Sequence, residues 1–209
     1  NISGVNVTAT KKKKIISYID ELSPEADTTK SVNTIFLNNG KINGHNTDIY
    51  GFEKALQNTK FNTLNKKIFI LGAGGVVPSI IVALNKMKVS EITLSNRTKN
   101  KAETLKNLYK HLNIVDWGEI PDFDMIINAT SVGLNKQESL NLDFSKMKDK
   151  FFYDVIYNPN ETDFLKNAKK LKNTIENGKK MFVYQAAAAF KIWHGIEPKI
   201  NNKIFELLD

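Results

Sequence analysis

The sequence predicts an α/β protein: a doubly wound parallel sheet, with a smaller α/β unit formed by the residues before it. Two observations carry this. From Ile68 onward, apolar runs of strand length alternate with amphipathic stretches of helix length, the pattern that right-handed crossovers fold into a parallel sheet. The run Ile68–Leu71 ends in Gly72-Ala73-Gly74-Gly75, and a helix-length apolar stretch then leads to a second run, Ile92–Ser95. Strand, glycine turn, helix and strand place an anion at a helix N-terminus, where free N–H groups and the helix dipole favour it.

Taken in order, Val5–Thr8 reads as a strand, Lys14–Leu22 has helical spacing and Ser31–Leu37 is a strand. Asn38-Asn39-Gly40 is a hairpin turn into a second short strand, Lys41–Gly44, because Asn-Gly supplies the positive φ angles such turns need. Asp48–Gln57 carries Ile49, Phe52 and Leu56 three or four residues apart, which is helical periodicity. The later strands are Ile68–Leu71, Ile92–Ser95, a short one near Asn113–Asp116, Met125–Asn128 and Phe152–Asp154. Helices are expected at Pro78–Met87, Lys99–Leu108, Asp163–Leu171 and the alanine-rich Tyr184–Trp193.

The glycine turn supports a nucleotide. Gly72 permits the tight bend, Ala73 and Gly75 complete it, and Gly74 leaves no side chain between backbone and pyrophosphate. Val77 stands where the fingerprint has its third glycine, and Pro78 follows in the first helical turn, where no N–H is needed. At the end of the second strand an NAD site usually has an acidic residue; here Asn96-Arg97-Thr98 stand instead. Arg97 is the chain's only arginine, and a planar guanidinium suits a 2′-phosphate as an ammonium does not. The expected cofactor is NADP(H), with Asn96, Thr98 and Lys101 assisting Arg97. Ala129-Thr130-Ser131 follows a central strand, where loops beyond the carboxyl ends line the ligand crevice, so Thr130 joins the cofactor residues.

Composition bounds the rest. The chain has 209 residues, 41% hydrophobic and 25% charged, ordinary for a globular protein with a buried core. It has no cysteine, hence no disulfide, thiolate metal site or cysteine nucleophile. No apolar run approaches a membrane span, and a cytoplasmic location is expected. The net charge is +8. The lysines are scattered, however, and no basic stripe with interleaved aromatics suggests nucleic acid.

A hydride transfer to a ketone needs a proton for the developing alkoxide, and a lysine held by a carboxylate can supply it. Lys12 with Asp48 is a candidate pair, though Asp48 could equally cap the helix that begins there.

The motifs together resemble the shikimate dehydrogenase family. Asn6-Val7-Thr8 with Lys12 matches N-V-T-x-x-x-K, Val32-Asn33-Thr34 matches V-N-T, and Asn46-Thr47-Asp48 with Gly51-Phe52 matches N-T-D-x-x-G-F. Gly72–Gly75, Asn96–Thr98, Ile127–Gly133, Tyr153–Thr162 and Asn177–Gln185 supply further family blocks. The resemblance implies Lys12 and Asp48 as the catalytic pair. It implies substrate contacts from Thr8, Asn33, Asp48, Tyr157 and Gln185, with Gly178 near the nicotinamide and no metal. His45, His111 and His194 match no family catalytic position. The implied activity is NADP-dependent interconversion of 3-dehydroshikimate and shikimate in aromatic amino-acid biosynthesis, by a monomer or homodimer. Residues 1–47 would begin the substrate domain, 48–177 form the Rossmann-type domain, and 178–209 return to the first. Two departures stand out: Thr10 replaces the usual proline and Lys11, Lys13 and Lys14 crowd Lys12. The family's front part of roughly 50 to 60 residues, with its Ser-x-Ser segment, is expected to be missing, leaving the substrate domain incomplete. Two alternatives remain at this stage. One is an NAD-using quinate/shikimate dehydrogenase, which an acidic residue near Ser95 would favour. The other is a nucleotide-binding homologue with impaired catalysis.

Overall fold

The computed structural model describes residues 4–8, 11–135 and 138–208. In chain order the first elements are β1 (Gly4–Asn6), α1 (Lys11–Lys14), β2 (Glu21–Leu22), α2 (Pro24–Thr29), β3 (Thr34–Asn38), β4 (Lys41–His45) and α3 (Asp48–Gln57). There follow β5 (Lys67–Leu71), α4 (Val77–Lys86), β6 (Glu91–Ser95), α5 (Lys99–Leu108), β7 (Asn113–Ile114), β8 (Met125–Asn128) and β9 (Phe151–Asp154). The last are α6 (Asp163–Lys170), β10 (Thr174–Glu176), α7 (Lys179–His194) and α8 (Asn202–Glu206). They form two compact units: one gathers the chain up to Thr59, Gly74–Lys86 and Lys180–Leu207, the other Lys60–Ala73 and Met87–Lys179. One of the divisions falls inside the glycine turn, between Ala73 and Gly74.

The first unit holds a four-stranded sheet in the order β1-β3-β4-β2, in which only β2 runs parallel to its neighbour. The β3–β4 hairpin turns at Asn39 (φ 51°) and Gly40 (φ 77°), the two positive φ values that the Asn-Gly pair accommodates. Phe52, Ala55 and Leu56 of α3 and Ile80, Ile81, Ala83 and Leu84 of α4 are at most 1% exposed, and these two helices pack together. At Gly51 a Cβ would lie 2.7 Å from the Met181 carbonyl and 2.8 Å from the Gln185 Cβ. Glycine there lets α7 approach α3 closely.

The helix expected over Lys14–Leu22 is not what forms. Lys11–Lys14 makes one helical turn, Ile15–Tyr18 a 3-10 turn, and Glu21–Leu22 a strand. The Asp20 N–H donates to the Ile42 carbonyl and its carboxylate accepts from the Ile42 N–H at 2.7 Å. Pairing with the sheet edge therefore overrides helical spacing. Helix α2 went unread, although its signals are plain: the Ser23 hydroxyl accepts from the Ala26 N–H, and Pro24 opens the first turn.

The second unit holds six parallel strands in the order β10-β9-β8-β5-β6-β7. Numbered within the unit this is 6-5-4-1-2-3, the doubly wound order of the Rossmann fold. Phe69, Leu71, Phe123, Ile126, Phe152 and Leu165 fill its core with at most 3% exposure each. The winding reverses between β5 and β8, and ligands bind beyond the carboxyl ends of strands at such a point. Among the described residues no helix is long and apolar enough to cross a membrane.

Candidate active site

In the first unit the sheet and α3 bring together residues from distant parts of the chain. The Lys12 ammonium lies 2.5 Å from Asp48 Oδ2, with side-chain exposures of 13% and 6%. The Asn33 side-chain amide donates to Asp48 Oδ1 at 2.8 Å and to the Thr47 hydroxyl at 2.9 Å, so both carboxylate oxygens are engaged. Backbone bonds fix these groups in turn. The Val32 N–H donates to the Lys12 carbonyl, and the Asn33 N–H to the His45 carbonyl. Asp48 is the first residue of α3, where the positive end of the helix dipole favours a carboxylate. Its side chain faces Lys12, while its own N–H donates to Asn46 Oδ1 at 3.0 Å.

Gln185, on α7, accepts a 3.4 Å hydrogen bond from the Asn33 amide across 152 positions of sequence. The structure thus gathers Lys12, Asp48, Asn33 and Gln185 in one cluster. Thr8 is exposed, its carbonyl accepting from the Lys11 N–H. Tyr157 belongs to the second unit, after β9. Thr10, where the family has proline, lies outside the described residues.

The second unit holds most of the expected nucleotide residues, while Gly74 and Gly75 belong to the first. Gly72 has φ +108°, and a Cβ on it would lie 2.8 Å from the Ala129 carbonyl. The turns after β5 and β8 therefore meet at the switch point with no room for a side chain. Gly72 also donates its N–H to the Ser95 carbonyl. Beyond β6, the Asn96 amide donates to the Thr98 carbonyl at 2.8 Å, and Arg97, Thr98 and Lys101 are exposed. Lys99 is taken up by Asp116 at 2.6 Å. At Gly178 a Cβ would overlap the Val155 carbonyl, so only glycine lets that loop lie against the end of β9.

Sequence reasoning missed the polar network beneath these loops. Asn128 Oδ1 accepts from the Thr130 N–H (3.1 Å) and hydroxyl (2.7 Å). The Asn128 amide donates to the Val132 carbonyl and to the Asp154 carboxylate. Asp154 also accepts from the Thr162 hydroxyl (2.6 Å) and the Ile156 N–H (3.0 Å). Fully buried, its carboxyl is pushed up to about 6 by desolvation, against the lowering effect of these donors. The signal was the position of both residues at the carboxyl ends of adjacent parallel strands, in register.

A parallel sheet of this order, a glycine turn at its switch point and a lysine–carboxylate pair define a dinucleotide-dependent oxidoreductase of the two-unit α/β class. Comparison with known proteins narrows it. The family profile for shikimate/quinate 5-dehydrogenase matches residues 53–172, that for the shikimate dehydrogenase substrate binding domain residues 1–35, and that for the shikimate 5′-dehydrogenase C-terminal domain residues 180–201. The chain is 55% identical over 209 residues to shikimate dehydrogenase (NADP(+)) of Pelagibacter ubique, covering 100% of this chain and 79% of that one. Among solved structures, shikimate dehydrogenase from Aquifex aeolicus superposes with a TM-score of 0.89 at 36% identity, over 99% of this chain and 77% of that one. Shikimate 5-dehydrogenase from Thermus thermophilus, solved with NADP(H) and shikimate, gives 0.88 at 30% identity over 99% and 78%. The chain belongs to the shikimate dehydrogenase family.

Proposed function

We propose that this chain is an NADP-dependent oxidoreductase that interconverts 3-dehydroshikimate and shikimate in aromatic amino-acid biosynthesis. The observation that carries the reading is the Lys12–Asp48 pair, braced by Asn33. In the reductive direction NADPH, when bound, would supply the hydride that the ketone carbon takes up. Lys12 delivers a proton to the oxygen as the carbonyl becomes an alcohol, and stabilises its developing charge beforehand. Asp48 holds the ammonium and, with Thr8, Asn33, Tyr157 and Gln185, supplies hydrogen bonds to the hydroxyls of a cyclic polyol.

The residues present fit NADP(H). Gly72, whose own N–H is taken by the Ser95 carbonyl, bends the chain so that the turn Ala73-Gly74-Gly75 would face a pyrophosphate, and Thr130 stands at the switch point. Arg97, with Asn96, Thr98 and Lys101, would take the 2′-phosphate, and Gly178 would lie by the nicotinamide. In this reading residues 1–47 and 178–209 serve the substrate and 48–177 the nucleotide. A cytoplasmic monomer or homodimer belongs to the same reading and rests on the family alone. The test is to mix the protein with shikimate and NADP and follow absorbance of the reduced nicotinamide. Reduction that needs shikimate, prefers NADP to NAD and disappears in Lys12→Ala is the expected result. Equal rates with both cofactors would overturn the cofactor assignment.

A further inference from the structure

Ser79 lies in the first turns of α4, the helix that the glycine turn leads into, and is completely buried. Its hydroxyl donates to Asn46 Oδ1 at 3.2 Å and accepts from Asn46 Nδ2 at 3.0 Å. Asn46, 1% exposed, is the first residue of the N-T-D motif. The same Asn46 oxygen accepts the Asp48 N–H that starts α3, and the Asp48 carboxylate holds Lys12. A continuous line of short contacts therefore runs from α4 through Asn46 and Asp48 to the Lys12 ammonium. Gly74, which accepts from the Val77 N–H at the start of α4, belongs to the same compact unit as Lys12 and Asp48. The phosphate-facing end of this helix and the lysine pair are parts of one body.

We propose that Ser79 is a positioning residue for the Lys12–Asp48 pair, acting through Asn46. The proposal rests on the catalytic reading above. The neighbouring bonds explain why a hydroxyl there has more to do than support the fold. The Asn46 amide group also donates to the Thr29 hydroxyl at 3.1 Å and the Ser31 carbonyl at 2.9 Å. Both its hydrogens keep acceptors when the Ser79 hydroxyl is removed, so Ser79→Ala strands no buried donor. Alanine is also the better helix former. The fold loses little, whereas the Asn46 oxygen loses one of the two donors that fix its angle toward Asp48.

The experiment is a cycle of Ser79→Ala, Asp48→Asn and the double variant, with kcat, the KM for NADP and thermal midpoints measured. Ser79→Ala should lower kcat roughly three- to tenfold, the factor of about one net hydrogen bond. The KM for NADP and the thermal midpoint should hardly move. In the Asp48→Asn background the Ser79 effect should disappear, because groups acting as one unit are not additive. An unchanged kcat in Ser79→Ala, or the same fractional loss in both backgrounds, overturns the proposal. Lys12→Ala, run alongside, separates the two readings: full activity there would defeat the catalytic assignment itself.

Discussion

Two buried aspartates, one in each unit, do different work. Asp48 faces an ammonium, and its two oxygens are divided between Lys12 and Asn33. Asp154 is reached by neutral donors, namely the Asn128 amide, the Thr162 hydroxyl and the Ile156 N–H. A carboxylate paired with a cation makes a centre through which a proton can be delivered. One held by neutral donors carries the cost of its own desolvation and gains shape, here the loop that presents Thr130. Burial alone does not mark a catalytic acid; the partner decides.

The contrast is broken most decisively by substitution at the lysine. A positioned general acid contributes about 10²–10⁴-fold, so Lys12→Ala should cost that factor in kcat, with little change in the KM for NADP. Lys11→Ala and Lys14→Ala should cost almost nothing. Asp48→Asn should also slow turnover, since it removes the charge that holds the ammonium. Steady-state kinetics on the four variants would show it, and a silent Asp48→Asn would put Asp48 on the same footing as Asp154.

Asp154→Asn should act on stability instead. A carboxyl raised from 3.8 to about 6 by folding binds its proton more tightly folded than unfolded. Its contribution is greatest when protonated, below about pH 4, and is lost as pH rises through 4 to 6; that loss amounts to roughly 3 kcal/mol. Urea unfolding of wild type and variant across this range should show a wild-type slope that the variant lacks. A difference independent of pH would mean that the carboxyl does not titrate there.

The smallest effect sharpens the second unit's role. Arg97→Ala should weaken NADPH about ten- to a hundredfold, since charge-assisted bonds are worth about 1.5–3 kcal/mol. NADH should be unaffected, as measured by titration of nucleotide fluorescence. Equal losses for both would remove Arg97 from the phosphate.

Much of this was legible in the sequence. Asp48–Gln57, Lys99–Leu108 and Met125–Asn128 were read with the bounds they have in the structure, because apolar period and flanking turns agree there. Lys14–Leu22 was misread, since edge pairing between Asp20 and Ile42 depends on a strand more than 20 positions away. The Lys12–Asp48 pair was carried by the family resemblance of its motifs, since spacing alone left Asp48 readable as a helix cap. Its supports, Asn46 and Ser79, are 33 positions apart, and no local pattern links them. Asp154 was visible only as a letter in a motif, because its surroundings come from three chain segments.

The discontinuity of the first unit bears on how the protein is made. Synthesis proceeds from the N-terminus, and domains generally fold as units during it. The six-stranded unit has all its strands once Glu176 has emerged. The other unit, by contrast, waits for Lys180 and beyond. Until α7 arrives, the groove at Gly51 is open and Asn33 lacks Gln185. The six-stranded half is thus the earlier product of translation, and the half carrying the lysine is sealed last.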